Sequence, residues 1–353
     1  MTLEDRLKAQ ISATGPITLA DYMSAALMDP EGGYYTTCAP FGVGGDFVTA
    51  PEISQMFGEL IGLCLAQCWL DQGAPRRVAL TELGPGRGTL MADILRATAA
   101  VPGFHQAAHV HLVETSPKLR AAQAEALSGR DVTWCETLSE VPDGPLFLVA
   151  NEFFDALPIR QFQRSGAHWA ERHVGLMDGA LAFGLGPEQP QPVLTHRLED
   201  TRDGDVVEWA QVGVSITGAI ADRLAKAGGV ALIIDYGDWR SLGDTLQAVR
   251  NHQRAEPLET PGQADLTAHV DFEALARAAD GVEHTRLCPQ GVFLERLGIT
   301  ARAQRLAQSL EGASLQAHVA AHRRLTHPEE MGTLFKVLGL FPTHASPPPG
   351  LET

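Results

Sequence analysis

The stretch that decides the fold is Glu82-Leu-Gly-Pro-Gly-Arg-Gly88. The apolar run at 78–83 predicts a short buried strand before it, and the apolar spacing within 89–97 predicts a helix after it. A strand, a glycine-rich turn and a helix start form a cradle for a phosphate or nucleoside. Glycine lets the backbone approach a ligand, and the helix N-terminus offers free N–H groups. The sequence therefore predicts an α/β fold with a nucleotide-type ligand at this turn.

The acidic residue in front of the glycines narrows the choice of ligand. The carboxylate of Glu82 would repel a pyrophosphate, but it suits a cationic ligand such as S-adenosylmethionine, which carries a sulfonium and an amino group. The loop also lacks the two-residue gap that precedes the third glycine of a nicotinamide-binding turn. A glycine-rich turn without a ligand is the alternative. We predict an S-adenosylmethionine site that includes Glu82, Gly84, Pro85, Gly86 and Gly88.

A second acidic residue follows the next predicted strand. Residues 109–114 are apolar and end at Glu114, and residues 118–127 have a helical pattern. In a βαβ unit, an acidic side chain at the end of the second strand accepts hydrogen bonds from the ribose hydroxyls. The separation of Glu114 from Gly86 along the chain somewhat exceeds the roughly 20 residues typical of dinucleotide folds. We expect Glu114 and the adjoining Thr115 to contact the cofactor; the alternative is an exposed carboxylate at a strand end.

A third polar group leaves the predicted strand 145–150. Asn151, Glu152 and Asp155 follow it directly, interleaved with phenylalanines. Ligands of open α/β sheets bind outside the carboxyl ends of the strands, so these side chains are expected near the glycine turn. A helix N-terminus carrying acidic residues would explain the carboxylates, but it would not explain the aromatic neighbours.

Six stretches together resemble the MidA-type class I methyltransferases, the bacterial and mitochondrial relatives of a complex I assembly factor. They are DFVTAPEISQMFGE (46–59), ELGPGRG (82–88), ANEFFDALP (150–158), IDYGD (234–238), QADLTAHVDF (263–272) and TLFKVL (333–338). The resemblance runs from about Ile17 to Leu338 and implies a Rossmann-like fold that binds S-adenosylmethionine. It also implies protein arginine methyltransferase activity, directed in the mitochondrial member at a core NADH dehydrogenase subunit.

Glu152 and Asp155 are the side chains expected to be catalytic. An arginine guanidinium keeps its proton at neutral pH because its pKa lies above about 12. Two carboxylates would hold it through charge-assisted hydrogen bonds. The two residues lie three positions apart and share a face if the segment is helical. Asn151 is expected to bind the cofactor; alternatively, Asn151 and Glu152 contact the methionine amino group or the substrate backbone.

Glu136 and Thr137 follow the predicted strand 131–135, where folds of this kind contact adenine. A plain loop is the alternative for them. Asp235 ends a predicted core strand and could face the ligand crevice. His269 is a possible acid–base group because histidine titrates near neutrality, although a structural histidine explains it better.

Thr49-Ala-Pro-Glu52 has the pattern of a capping box. It predicts a long helix from about Ala50 to Asp71, with Thr49 as its N-cap. The cap alone explains Thr49, so contact of Asp46 or Thr49 with the cofactor is the lesser alternative.

The alternation of strands and helices predicts a Rossmann-like class I methyltransferase sheet with a helical N-terminal segment and an inserted substrate-side subdomain. Core strands are expected near residues 78–83, 109–114, 131–135, 145–150 and 229–235. The expected parts are a helical N-terminal segment (1–76), the first part of the cofactor-binding core (77–158), an inserted subdomain of hairpins (159–215), the rest of the core with helical additions (216–341) and a disordered proline-rich tail (342–353).

Composition excludes several function classes. The net charge of −16 argues against nucleic acid as a partner, because binding phosphates needs a basic face, and it permits a basic protein target. No apolar run approaches the roughly 18 residues of a membrane helix. The five cysteines lack metal-ligand spacing, so no metal is expected. These cysteines and the acidic N-terminal residues, which match neither a signal nor a transit peptide, fit a cytoplasmic protein.

Three functions remain compatible with the sequence. The favoured one is a protein arginine methyltransferase that acts on a respiratory-chain partner. The second is a methyltransferase for a small nitrogen or oxygen nucleophile, which a closed apolar pocket would support. The third is an assembly factor that binds S-adenosylmethionine and acts mainly by contacting its partner.

Overall fold

The computed structural model describes residues 1–37 and 48–353. Asp46, a candidate from the sequence, lies outside the described residues, as does Cys38. The helices are α1 Leu3–Thr14, α2 Leu19–Met28, α3 Tyr34–Thr37, α4 Ala50–Ile53, α5 Gln55–Asp71, α6 Thr89–Thr98, α7 Phe104–Ala107, α8 Pro117–Ala126, α9 Gln211–Ala227, α10 Phe272–Ala278, α11 Gln290–Arg296, α12 Ile299–Ala307, α13 Gly312–Thr326 and α14 Met331–Leu334.

The strands form the second set of elements. They are β1 Ile17–Thr18, β2 Val78–Leu83, β3 Ala108–Val113, β4 Val132–Cys135, β5 Leu146–Asn151, β6 Arg160–Ser165, β7 His168–Met177, β8 Ala180–Gln189, β9 Val206–Trp209, β10 Gly229–Asp238, β11 Gln247–Arg250, β12 Gln253–Ala255, β13 Asp265–Thr267, β14 Val270–Asp271, β15 Glu283–His284, β16 Cys288–Pro289 and β17 Phe335–Phe341. Within residues 1–37 and 48–353, none of the helices has the length and hydropathy of a membrane-spanning segment.

Contacts divide the chain into two compact units. The core unit comprises Val48–Phe154, Ser215–Gly237 and Leu275–Thr353. The hairpin unit comprises the described part of Met1–Phe47 with Asp155–Val214 and Asp238–Ala274. The inserted hairpins therefore assemble with the first helices and with the segment after β10, a grouping that differs from the boundaries expected from the sequence.

The core unit is built on a sheet whose strands run in the order β15-β17-β10-β5-β2-β3-β4. Strands β10, β5, β2, β3 and β4 are parallel, and β17 is antiparallel to β10. Strands β2, β5 and β10 are buried on both faces, as expected for a sheet covered by helices. The strand order reverses direction beside β2, which is where open α/β sheets bind their ligands.

The helix predicted from Ala50 to Asp71 is interrupted at Ser54. The side chain of Thr49 makes no capping hydrogen bond, so the predicted capping box is wrong. Glu52 is engaged elsewhere, because its carboxylate accepts a hydrogen bond from the Thr89 hydroxyl at 2.8 Å. Ser54 instead caps α5 by accepting a hydrogen bond from the N–H of Met56. Glu52 thus connects α4 to the start of α6.

The hairpin unit has its own sheet, in the order β1-β7-β6-β9, with β8 paired to β7. A second small sheet has the order β12-β11-β13. Helices α1 and α2 pack their apolar faces on these strands, and this packing forms a cluster separate from the core of the nucleotide fold. The apolar face of α1 could not be buried by a leader segment alone, which explains why the N-terminus joins the inserted strands.

The C-terminal residues are ordered, so the prediction of a disordered tail at 342–353 is wrong. Leu351 is buried in the main core cluster. The carbonyl of Glu352 accepts a hydrogen bond from the N–H of Arg286 at 2.7 Å. Proline has few unfolded conformations to lose, so a proline-rich segment needs little apolar contact to become ordered.

Candidate cofactor-binding site

The glycine turn joins β2 to α6 as the sequence predicts. Gly84, Gly86 and Gly88 have φ values of +60°, +54° and +82°, a region that side chains with a Cβ disfavour. At Gly84 a Cβ would also lie 2.7 Å from the ring of Phe153. The turn therefore needs glycine for its own conformation and for the close approach of the following aromatic segment.

Glu82 is the penultimate residue of β2 and is almost completely buried. Its Oε2 atom has no hydrogen-bond partner among the described residues. Burial raises the pKa of this carboxyl group to about 8. An unpartnered buried carboxylate oxygen is costly, and a cation beside it would offset that cost. A cationic group beside Glu82 would therefore favour the ionised form of this carboxyl group.

Glu114 is held in place by a side chain that the sequence did not single out. The fully buried Gln123 donates from Nε2 to the carbonyl of Gly86 at 2.8 Å and to Oε2 of Glu114 at 3.3 Å. Its Oε1 accepts a hydrogen bond from the indole N–H of Trp134 at 2.9 Å. The N–H of Ser116 donates to the other oxygen of Glu114 at 2.8 Å. Gln123 thus connects the glycine turn to the acidic residue at the end of β3.

Burial raises the pKa of Glu114 above its ordinary value. Hydroxyl donors such as those of a ribose would favour its ionised form. Gln123 lies four residues after Leu119 and four before Leu127, so it shares their apolar helix face. This spacing was the available sequence signal, because a polar side chain on a buried face requires internal partners.

The other candidates on β3 and β4 are exposed. Thr115 follows Glu114, and the N–H of Glu114 donates to the carbonyl of Cys135 at 3.0 Å, so the two strand ends lie side by side. The N–H of Glu136 donates to Oε2 of Glu140 at 2.9 Å, and the Thr137 hydroxyl contacts its local neighbours. These three residues lie at the same edge of the sheet as the glycine turn.

Asn151 ends β5, and Glu152 begins the turn after it. Glu152 has a φ of +53°, an unusual conformation for a residue with a side chain. Its Oε1 accepts hydrogen bonds from the N–H of Ala50 and from Nδ2 of Asn151, both at 2.9 Å. Burial raises its pKa to about 7. Oδ1 of Asn151 is buried and lacks a partner among the described residues.

Asp235 holds the turn from the neighbouring strand β10. Its Oδ2 accepts hydrogen bonds from the N–H groups of Phe153 and Phe154 at 3.2 and 2.9 Å. The N–H of Glu152 donates to the carbonyl of Ile234 at 2.9 Å. The backbone of Glu152 is thus held by β10, which accounts for the persistence of its strained φ.

Asp155 belongs to the hairpin unit, whereas Glu152 belongs to the core unit. The segment that joins them is an irregular turn, so the premise that they share a helical face is wrong. Asp155 is buried. Burial of the Tyr35 phenol raises its pKa, and the negative charges of Asp265 and Asp155 raise it further. That phenol donates a hydrogen bond to Oδ1 of Asp265 at 2.9 Å. Asp155 therefore lies with an acidic and phenolic group inside the hairpin unit.

A family model of S-adenosyl-L-methionine-dependent methyltransferases matches residues 60–289. The chain belongs to this family. The chain is 38% identical to "Protein arginine methyltransferase NDUFAF7, mitochondrial" of Danio rerio, over 96% of this chain and 86% of the relative. It is 36% identical to the Homo sapiens protein of that name, over 95% and 82%.

A solved structure agrees with this assignment. The chain resembles a superfamily member from Burkholderia thailandensis, crystallised with S-adenosyl-homocysteine, with a TM-score of 0.82. The two are 30% identical, and the alignment covers 99% of this chain and 92% of the other. The MidA-type resemblance and the methyltransferase fold predicted from the sequence are confirmed. The protein is an S-adenosylmethionine-dependent methyltransferase, and that cofactor supplies an activated methyl group.

Proposed function

We propose that the chain methylates an arginine side chain of a protein. The names of its relatives support this, since those from Danio rerio and Homo sapiens are called protein arginine methyltransferases. The observation that carries the proposal is Glu152, whose carboxylate is held by two donors in a strained turn beyond β5. Strained backbone at the end of a core strand is typical of functional positions.

The cofactor occupies the carboxyl ends of β2 to β5 in this proposal. The unpartnered oxygens of Glu82 and Asn151 suit the cationic amino group, and Glu114 accepts hydrogen bonds from the ribose hydroxyls. Glu136 and Thr137 lie beside the adenine. The full set of proposed cofactor residues is Glu82, Gly84, Pro85, Gly86, Gly88, Glu114, Thr115, Glu136, Thr137 and Asn151.

Glu152 has the properties that guanidinium binding requires. Burial raises its pKa to about 7, although two hydrogen bonds and the charge of Arg324 act in the opposite direction. A substrate guanidinium beside it would favour the ionised form further. The ionised carboxylate then orients the guanidinium through charge-assisted hydrogen bonds and leaves one nitrogen to attack. Correct alignment of such groups can supply roughly 7–11 kcal/mol in well-oriented systems.

Asp155 is proposed as a second catalytic carboxylate, because it follows Glu152 in the family-like stretch 150–158. It is supported by its burial and by its neighbours in the hairpin unit, since Tyr35 and Asp265 form a polar cluster around it. The sequence order Asn-Glu-Phe-Phe-Asp brings the segment from the end of a core strand into the hairpin unit.

The partner in this proposal is a protein, and a core NADH dehydrogenase subunit is the candidate that the family resemblance implies. Complex I assembly is the process such a modification would serve. We also propose a reducing location such as the cytoplasm, supported by the free thiols of Cys64, Cys68, Cys135 and Cys288.

The experiment that tests this function compares Glu152→Gln with the wild type. The purified proteins are incubated with S-adenosylmethionine and the candidate subunit, and methylarginine is read by mass spectrometry. We expect Glu152→Gln to bind S-adenosylhomocysteine with unchanged affinity, as measured by calorimetry, but to lose methylarginine formation.

Three outcomes would contradict the proposal. Wild-type enzyme that methylates only small amines or hydroxyls would favour the small-molecule alternative. Full methylation by the Glu152→Gln variant would show that the Glu152 carboxylate is not required for catalysis. Complex assembly that proceeds normally with Glu152→Gln in cells would favour the assembly-factor alternative.

A further inference from the structure

Strand β8 is ten residues long and lies at an edge of the hairpin unit's sheet. It pairs with β7 through a two-residue turn, Asp178-Gly179, in which both residues have positive φ and so match the twist of the strands. In the described part of the chain, no strand pairs with the other edge of β8. Within residues 1–37 and 48–353, the backbone N–H and C=O groups along that edge therefore have no strand partner, and proteins usually cover such an edge.

The β7–β8 hairpin also exposes large apolar side chains to solvent. Met177, Phe183 and Leu185 are 66%, 39% and 55% exposed. The guanidinium of Arg172 lies 4.9 Å from the centre of the Phe183 ring and covers part of it. Exposed apolar residues grouped on one hairpin are typical of protein–protein contact surfaces.

An acidic cavity adjoins the free edge. It has a volume of about 460 Å³ and is lined by 180–183 of β8 and by residues 256–259. Glu4, Glu256 and Glu259 contribute carboxylates to it. Glu4 is paired with Lys8 at 2.8 Å, whereas neither Glu256 nor Glu259 forms an ion pair with any described residue. Glu256 and Glu259 are exposed, so the cavity presents two carboxylates that a cationic side chain can reach.

We propose that the free edge of β8 and this acidic cavity bind an extended, basic segment of the protein substrate. The segment adds a strand to β8 through backbone hydrogen bonds, and its cationic side chains face Glu256 and Glu259. This inference rests on the proposed function, because it assumes that the methyl acceptor is a protein. It assigns substrate recognition to the hairpin unit.

Charge decides between the candidate occupants of the edge. A second copy of the chain would bring another molecule of net charge −16 against the same carboxylates, which opposes association. A basic segment is attracted by them. Pro187 limits pairing at the far end of β8, so the strand that adds there is short and lies along 180–186.

The test uses a short fluorescent peptide that alternates arginine and valine, titrated into the full-length protein at about 50 mM salt, where surface charges are weakly screened. Fluorescence anisotropy reports binding without turnover. The double variant Glu256→Lys/Glu259→Lys is expected to weaken binding by about tenfold, since two attractive contacts become repulsive.

The control variant is Asp222→Lys/Glu329→Lys. It makes the same change in net charge at two exposed carboxylates of the core unit, and we expect it to keep wild-type affinity. A peptide with glutamate in place of arginine is expected not to bind.

Backbone pairing is tested by N-methylation of every second peptide residue. Successive N–H groups of an extended chain point to opposite edges, so each of the two methylation patterns removes the donors of one edge only. We expect one pattern to abolish binding and the other to preserve it. Equal binding of both patterns would overturn strand addition.

Other results would also overturn the proposal. These are the absence of peptide binding, equal loss in the test and control variants, and self-association of the protein through β8 detected by sedimentation. Failure of the proposed function is read separately, as the absence of methylarginine from the candidate subunit with wild-type enzyme. If methylarginine forms, we expect Glu256→Lys/Glu259→Lys to raise KM for the subunit and leave kcat unchanged.

Discussion

Replacing Gln123 by leucine tests whether the cofactor site depends on a side chain that contacts no ligand in our proposal. Leucine has a similar volume, so the change removes hydrogen bonds and leaves no large cavity. It removes the donors to the Gly86 carbonyl at 2.8 Å and to Glu114 at 3.3 Å, and the acceptor for the Trp134 indole at 2.9 Å. Three polar groups thereby lose a partner.

The magnitude follows from those contacts. Leaving a buried polar group without its partner costs about 1–3 kcal/mol, and some of the groups can be reached by water. We therefore expect Gln123→Leu to lower the free energy of unfolding by roughly 2–4 kcal/mol. Loss of the bond that orients the charged Glu114 is expected to weaken S-adenosylhomocysteine binding by about 10- to 100-fold, because such bonds contribute about 1.5–3 kcal/mol.

Calorimetric titration and urea unfolding measure the two effects. Trp134→Phe is the matched variant, since it removes only the indole donor to Oε1 of Gln123 and leaves both contacts of Nε2. We expect it to destabilise the protein by about 1 kcal/mol and to change affinity less than about threefold. The reasoning is refuted if folded Gln123→Leu binds like the wild type, or if Trp134→Phe weakens binding equally.

Three further predictions concern the turns and the buried carboxylates. Gly84→Ala is expected to lower the free energy of unfolding by more than the roughly 1–2 kcal/mol of left-handed strain, because the new Cβ would also clash with Phe153. Thermal unfolding measures this loss. The double variant Gly84→Ala/Phe153→Ala should recover only the part that is due to the clash. Asp235→Asn is expected to destabilise the protein by about 1–2 kcal/mol and to lower kcat with little change in S-adenosylhomocysteine affinity, since it loosens the turn that carries Glu152; unchanged kcat would contradict this. Burial raises the pKa of Glu82 to about 8 and that of Glu152 to about 7, whereas an unfolded glutamate titrates near about 4.3. The folded protein thus binds these two protons more tightly than the unfolded chain, so the free energy of unfolding that they contribute is lost as pH rises from about 5 to 8. Urea unfolding at several pH values should show that decline. A Glu82→Gln variant with the same pH dependence as the wild type would contradict it.

The positions of the proposed cofactor-binding residues in the fold were largely predictable from the sequence. A glycine turn between a buried strand and a helix is a local pattern, and the positive φ of its three glycines is a property of the turn itself. The positions of Glu114 and Asn151 follow from the rule that parallel strands end at the same edge of a sheet. The MidA-type resemblance pointed to the same residues.

The supporting contacts could not be predicted in this way. Gln123 reaches Gly86, which lies far from it in sequence, and Asp235 reaches the turn of Glu152 from another strand. The pattern at Thr49 and Glu52 suggested a local cap, but Glu52 instead accepts a hydrogen bond from Thr89. Local patterns fail here because a polar side chain takes the best partner in space, whatever its distance along the chain.

The sequence by itself determined the strand–turn–helix order, the glycines at the turn and the acidic residues at the strand ends, because these depend on backbone conformation and side-chain periodicity over a few residues. The tertiary structure alone decided that residues 1–37, 155–214 and 238–274 share one unit, that Glu152 and Asp155 belong to different units, and that Leu351 is buried. Those outcomes depend on which apolar faces meet and exclude water, and distant segments settle that jointly.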